Sequence, residues 1–145
     1  MIVNNSLEEN NLIAKESKEL LKISYPSLSK DDRKLIRLAF NTSVDAHKNQ
    51  RRKSGEPYVF HPISVAKIVA SKIGLDATCI AAALLHDVIE DTDYDEKKIS
   101  EIFGKTISKI VVGLTKISKL SKDENVSIQA ENFRKMLLTL NDDVR

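Results

Sequence analysis

Apolar residues recur along this chain at three- and four-residue intervals rather than in alternation. Only four glycines and three prolines divide the pattern, leaving segments of helical length. The fold class predicted is all-α, a helical bundle of about six to seven helices. Residues 7–23 carry Leu12, Ile13, Leu20 and Leu21 on a partial face and stop at Tyr25-Pro26, because the residue before proline is pushed out of helical geometry. Ser29, three residues ahead of Asp32, predicts a capped helix start. Behind it Leu35, Ile36, Ala39, Phe40 and Val44 form an inward stripe that also takes in His47. Residues 48–60 lose the period and form a polar loop with Gly55 and Pro57 as turn residues. Pro62 suits the first position of the next helix, which sets His61 at its start, Val65, Ala66, Val69 and Ile73 inward, and Gly74 as its stop. Asp76 then caps a helix over 77–89 that is apolar on every side, the mark of a central element. Asp95 to Phe103, stopped by Gly104, is a short helix. Residues 105–118 follow with Ile107, Ile110, Val111 and Leu114 inward, and 127–140 with Phe133, Met136, Leu137 and Leu140 on one face.

With 145 residues and 41% hydrophobic side chains, the chain has enough apolar material for one core. The charge balance of 23 basic against 21 acidic residues lacks the basic excess of a nonspecific nucleic-acid binder, so no direct DNA binding is expected. No membrane partner is expected either, since no apolar run approaches spanning length and the first residues lack the basic start of a signal peptide. The lone Cys79, within an apolar run, points to a reducing, cytoplasmic setting.

Chemistry concentrates where the apolar helix ends. His86-Asp87 follow Ala81-Ala82-Ala83-Leu84-Leu85, and an imidazole beside a carboxylate in a core must be hydrogen bonded or bound to metal. Taken alone, the pair fits a satisfied core hydrogen bond as readily as metal ligation. His61 shifts the balance: an antiparallel return over Gly74 brings the start of its helix near the end of the next, so that three N and O ligands converge. Glu90 and Asp91 add two carboxylates within a turn. Negative charge at a helix carboxyl end opposes the macrodipole and so suggests a nearby cation; the competing reading is a solvated acidic end. Arg51, Arg52 and Lys53, in the loop before His61, fit a clamp for phosphates, although composition alone favours a surface charge run. His47 reads as a structural histidine. No phosphate loop, CxxC or nucleophile elbow is present, and Ser54 and Cys79 have no visible base partner.

The order His61-Pro62, Ala83-Leu84-Leu85-His86-Asp87-Val88-Ile89-Glu90-Asp91-Thr92 and Phe103-Gly104 resembles the HD hydrolase domain of the RelA/SpoT alarmone enzymes. The likeness extends through Ala46-His47, Gln50-Arg51-Arg52-Lys53-Ser54-Gly55-Glu56-Pro57-Tyr58, Gly113-Leu114-Thr115-Lys116 and Gln129-Ala130-Glu131-Asn132-Phe133-Arg134-Lys135-Met136. The resemblance implies a domain over residues 26–145, preceded by a helical extension over 1–25. Its implied activity is removal of the 3′ diphosphate of ppGpp or pppGpp by a metal-activated water, giving GDP or GTP and pyrophosphate. On the same resemblance, His61, His86 and Asp87 ligate Mn2+, Glu90 and Asp91 position and activate water, and Arg52 and Lys53, with Arg51 as the weaker match, contact the nucleotide. The family's fourth ligand is an aspartate in a helix that would follow Asp142-Asp143-Val144-Arg145. The chain is therefore expected to be an amino-terminal piece whose partners are the C-terminal synthetase and regulatory domains of its parent, and to bind metal weakly and turn over slowly alone. Two other functions fit less of the pattern: a catalytically silent HD regulatory module, and an HD phosphohydrolase for another nucleotide.

Overall fold

Side-chain caps at three helix starts and buried apolar faces behind them organise the computed structural model, which describes residues 6–24, 28–73 and 77–120. In chain order these are α1 (Leu7–Ser24), α2 (Lys30–Ala46), α3 (Phe60–Ile68), α4 (Ala77–Leu85), α5 (Val88–Asp91), α6 (Glu96–Phe103) and α7 (Lys105–Leu120). Among the described residues there is no strand, only an isolated antiparallel bridge between Arg51 and Pro57. The expected helix over 127–140, the Gly74 stop and the Asp76 cap lie outside the described residues.

The Ser29 cap is present in full. Its hydroxyl accepts from the Asp32 N–H at 3.1 Å while the Asp32 carboxylate accepts from the Ser29 N–H at 3.0 Å, so aspartate closes the box that glutamate usually closes. At the start of α1, Ser6 and Glu9 form the same reciprocal pair, at 3.1 and 2.9 Å. Asp95 caps α6 by accepting from the Lys98 N–H at 2.8 Å, and Gly104 ends it at a φ of 94°, a region that glycine enters without a Cβ clash.

α4 is the centre. Ala77 and the run from Cys79 to Leu85 are buried, and α2, α3 and α7 pack around them, which is why this stretch needs apolar residues on every side. Each fully buried Leu or Ile there contributes about 1.5–3 kcal/mol relative to an exposed one. α2 adds Ile36, Ala39 and Phe40, and α7 adds Ile107, Ile110, Val111 and Leu114, the four positions expected inward. α1 belongs to the same core through Ile13 and Leu20, and Lys67 of α3 pairs with Glu16 and, at 2.9 Å, with Glu19. No described helix is long and apolar enough to cross a membrane.

Three local expectations change. α3 begins at Phe60, so Pro62 stands third rather than first; its missing N–H still falls in the opening turn, where no intrahelical partner exists. The N–H groups of Phe60 and His61 donate instead to Pro57 and Tyr58 carbonyls, which start the helix early. α3 ends in a π-helical turn, Val69–Ile73, that no local residue signals. Most consequential, the helix expected over 77–89 is broken: α4 stops at Leu85, His86 and Asp87 form a turn, and α5 restarts at Val88.

Candidate metal centre

The break in the central helix brings His86 and Asp87 onto one site. Consecutive residues of an unbroken helix point about 100° apart and do not face each other. In the turn, with Asp87 at φ −97° and ψ −3°, His86 Nε2 lies 3.0 Å from Asp87 Oδ2. The turn leaves the His86 carbonyl at the helix end, and α7 supplies its partner: the Thr115 hydroxyl lies 2.7 Å from that oxygen and 2.8 Å from the Val111 carbonyl.

His61, in the first turn of α3, completes the cluster, with Nε2 3.9 Å from Asp87 Oδ2 and its ring edge-on to that of His86 at 5.6 Å between centroids. One ligand atom from each of His61, His86 and Asp87 lies within 4.8 Å of the others. The side chains are almost closed off, at 9%, 0% and 5% exposure. Tyr58 fixes the carboxylate by donating its hydroxyl to Asp87 Oδ2 at 2.7 Å. Its ring lies between those of His47 and His61, at 4.8 and 5.9 Å. His47 itself is buried with Nδ1 2.6 Å from Gln50 Oε1, so this histidine supports Tyr58 from behind and is not among the cluster's ligand atoms.

The electrostatics favour an ionised Asp87. Burial, the largest single influence, pushes its carboxyl up, but the His86 charge, the hydrogen bonds from His86 and Tyr58 and the His61 charge together outweigh it. The group stays well below the ordinary carboxylate range. His86 Nδ1 lies 2.6 Å from the Ala83 carbonyl, which accepts only, so Nδ1 carries a proton and Nε2 is the ring atom turned toward Asp87. Positive charge lies between Nε2 and Oδ2 at this 3.0 Å separation, whether a proton on the ring or a dication held by both atoms. That separation is the edge expected for N and O ligands about 2.1 Å from one ion at a right angle. The carboxyl end of α4 adds favourable partial charge for a cation. The donor set therefore fits a divalent metal, and the backbone carbonyl behind His86 is the outer partner that metal-bound imidazoles usually have.

The other residues read from the sequence fall around this centre unequally. Glu90 is exposed on α5, three residues beyond Asp87 and so on its side of the helix. Asp91 is the last residue of α5, and its side chain lies outside the described residues. Arg52 is exposed, pairs with Glu56 at 3.6 Å and sets its guanidinium 5.9 Å from the centroid of the Tyr58 ring, whose hydroxyl reaches Asp87. Lys53 is exposed in the adjoining turn. Arg51 is turned away from them: it forms a two-pronged pair with Glu9 of α1, both contacts at 2.8 Å.

Two residues that shape the site were missed as functional groups. Both stand in blocks that carry the family resemblance without a role assigned to them; Thr115 also offers a hydroxyl one turn after Val111 on an otherwise apolar inward stripe, and Tyr58 a place three residues before His61. Tyr58→Phe is expected to lower divalent-cation affinity about 10–100-fold, the range for losing an outer hydrogen bond to a ligating group. Calorimetric titration measures this, and unchanged affinity would show that Asp87 is held without the hydroxyl.

An HD domain family profile matches residues 39–145. The chain is 44% identical over 118 residues to the bifunctional (p)ppGpp synthase/hydrolase SpoT of Escherichia coli K12, covering 81% of this chain and 17% of that protein. It is 50% identical over 101 residues to a guanosine-3′,5′-bis(diphosphate) 3′-pyrophosphohydrolase of Haemophilus influenzae, with 70% and 15% covered. To the GTP pyrophosphokinase rsh of Brucella melitensis it is 45% identical over 111 residues, with 77% and 15% covered. The chain thus spans about a sixth of the length of these relatives.

Proposed function

The chain belongs to the HD-domain family, with RelA/SpoT-type proteins as its relatives, and from that premise we propose that it is a (p)ppGpp 3′-pyrophosphohydrolase unit. The observation that carries the reading is the convergence of His61, His86 and Asp87 beside an exposed basic loop. We assign the hydrolase unit to 26–145 and a helical extension to 1–25. In a parent of the relatives' length, synthetase and regulatory domains would be its partners.

His61, His86 and Asp87 hold a dication, manganese by resemblance to the family. When bound, such an ion supplies Lewis acidity at a phosphoryl oxygen and lowers the pKa of water. Tyr58 and the Ala83 carbonyl hold Asp87 and His86 in ligating orientation. Arg52 and Lys53 bind the phosphates and neutralise their charge. Glu90 and Asp91 orient the attacking water and take its proton. Water adds to the phosphorus joined to the ribose 3′ oxygen, that bond breaks, the 3′ oxygen takes up a proton and pyrophosphate is released.

The test is product identity. Incubated with ppGpp and Mn2+, the protein is expected to release pyrophosphate and GDP in equal amounts, even if slowly. EDTA should stop the reaction and excess Mn2+ restore it. Binding of ppGpp without turnover would make the domain a silent regulatory module, and release of orthophosphate would mean that a different bond is cut.

A further inference from the structure

The basic loop is tied to α1 by a contact whose partner on that helix, Glu9, lies outside the HD-domain match, which begins at residue 39. Arg51 Nη1 donates to Glu9 Oε2 and Nη2 to Glu9 Oε1, each at 2.8 Å, and Nη1 also donates to the Gly55 carbonyl at 2.7 Å. The guanidinium therefore joins α1 to both limbs of the loop. The loop is a small hairpin: Tyr58 N–H donates to the Gln50 carbonyl, Arg52 N–H to the Glu56 carbonyl and Gly55 N–H to the Arg52 carbonyl, all at 2.9 Å. Gly55, at φ +101°, makes the turn that a side chain would strain. Arg52 and Lys53 sit exposed at its tip, so whatever holds the stem sets where their charges lie.

Exposed ion pairs usually contribute little, because solvent screens them and two long side chains must be ordered. This one differs in kind. The planar fork of arginine meets both carboxylate oxygens, and the two side chains are only about a quarter exposed, at 25% and 24%. Glu9 is also prearranged, since its Oε1 accepts from the Ser6 N–H in the capping box of α1. The Arg51 hydrogen bond, then the Ser6 backbone bond, hold the Glu9 carboxyl down to about 2 against its desolvation, so the pair is charged throughout the neutral range.

We infer that Arg51 is a positioning residue and not a phosphate contact: Glu9 of α1 clamps the hairpin through it and so fixes Arg52 and Lys53 for the nucleotide. The consequence for the nucleotide rests on the hydrolase reading, whereas the clamp does not. A loop held by one end of α1 also makes that helix a determinant of affinity.

The test uses the full chain with Glu9→Gln, Arg51→Met and the double variant, reading amide hydrogen exchange over residues 51–58 and calorimetric ppGpp binding with Mn2+ present. Gln at position 9 keeps the capping box and removes the charge that Arg51 needs. Glu9→Gln is expected to speed exchange at Arg52, Gly55 and Tyr58 and to weaken ppGpp binding about 3–10-fold, with Mn2+ affinity unchanged. The double variant should be no weaker than Arg51→Met, because residues acting as one unit are not additive. Unchanged exchange in Glu9→Gln overturns the clamp. Faster exchange with unchanged or tighter ppGpp binding overturns the positioning role, and additive losses make Arg51 a direct contact. If the unaltered protein does not bind ppGpp, the hydrolase reading fails, and exchange alone decides the clamp.

Discussion

Asp87→Asn is expected to lower Mn2+ affinity more than about 100-fold and to abolish turnover with it, a larger loss than replacing an outer partner such as Tyr58 brings. The substitution keeps the shape of the side chain, and the Tyr58 hydroxyl can still donate to the amide oxygen. What disappears is the negative charge lying 3.0 Å from His86 Nε2 and 3.9 Å from His61 Nε2. Two neutral imidazoles and an amide oxygen give a dication no charge compensation in a largely buried site. Titration with Mn2+ followed by the paramagnetic resonance of the free ion, which reads weak as well as tight binding, measures the loss, with circular dichroism as the check on folding. Stoichiometric Mn2+ in the folded variant would show that the His61, His86 and Asp87 cluster is a core hydrogen-bond arrangement and not a metal site.

Glu90→Gln should behave in the opposite way. Glu90 is exposed on α5, so the change is neither a packing defect nor a buried unpaired group, and Mn2+ occupancy should stay near the parent value. If its carboxylate takes the proton of the attacking water, the amide cannot, and the rate of pyrophosphate release should fall about 100-fold or more. Enzyme in excess over ppGpp isolates the chemical step from product release. Loss of metal would make Glu90 a ligand or a support for one. Full activity would leave it the solvated end of a short helix.

Much of the architecture was legible because it is encoded between near neighbours. Ser29 and Asp32 announce a helix start through bonds spanning three residues, Gly104 a stop, and the inward stripe Ile107, Ile110, Val111 and Leu114 a buried face. The all-apolar run from Ala77 announces a central helix, and α4 is central. His86-Asp87 stood out for the same reason, as ionisable groups at the end of a stretch with no polar face. His61 was linked to them by the antiparallel return, and the structure brings its Nε2 into the cluster.

The sequence by itself determined the helical periods, the order of the elements, the polar loop before His61 and the residue types able to hold a dication. The tertiary structure decided how they meet. Periodicity cannot show that the central helix breaks at His86, because the carbonyl freed there is satisfied by Thr115, 29 residues away on α7. Nor can it show that Tyr58 orients Asp87, also 29 residues distant, or that Arg51 turns from the loop tip to Glu9, 42 residues before it. Local patterns report which face of a segment leaves water, since burial along one helix repeats with its turn. A hydrogen bond between distant segments depends on a few ångströms of relative placement, which packing of the whole core around α4 sets and no single stretch of sequence contains.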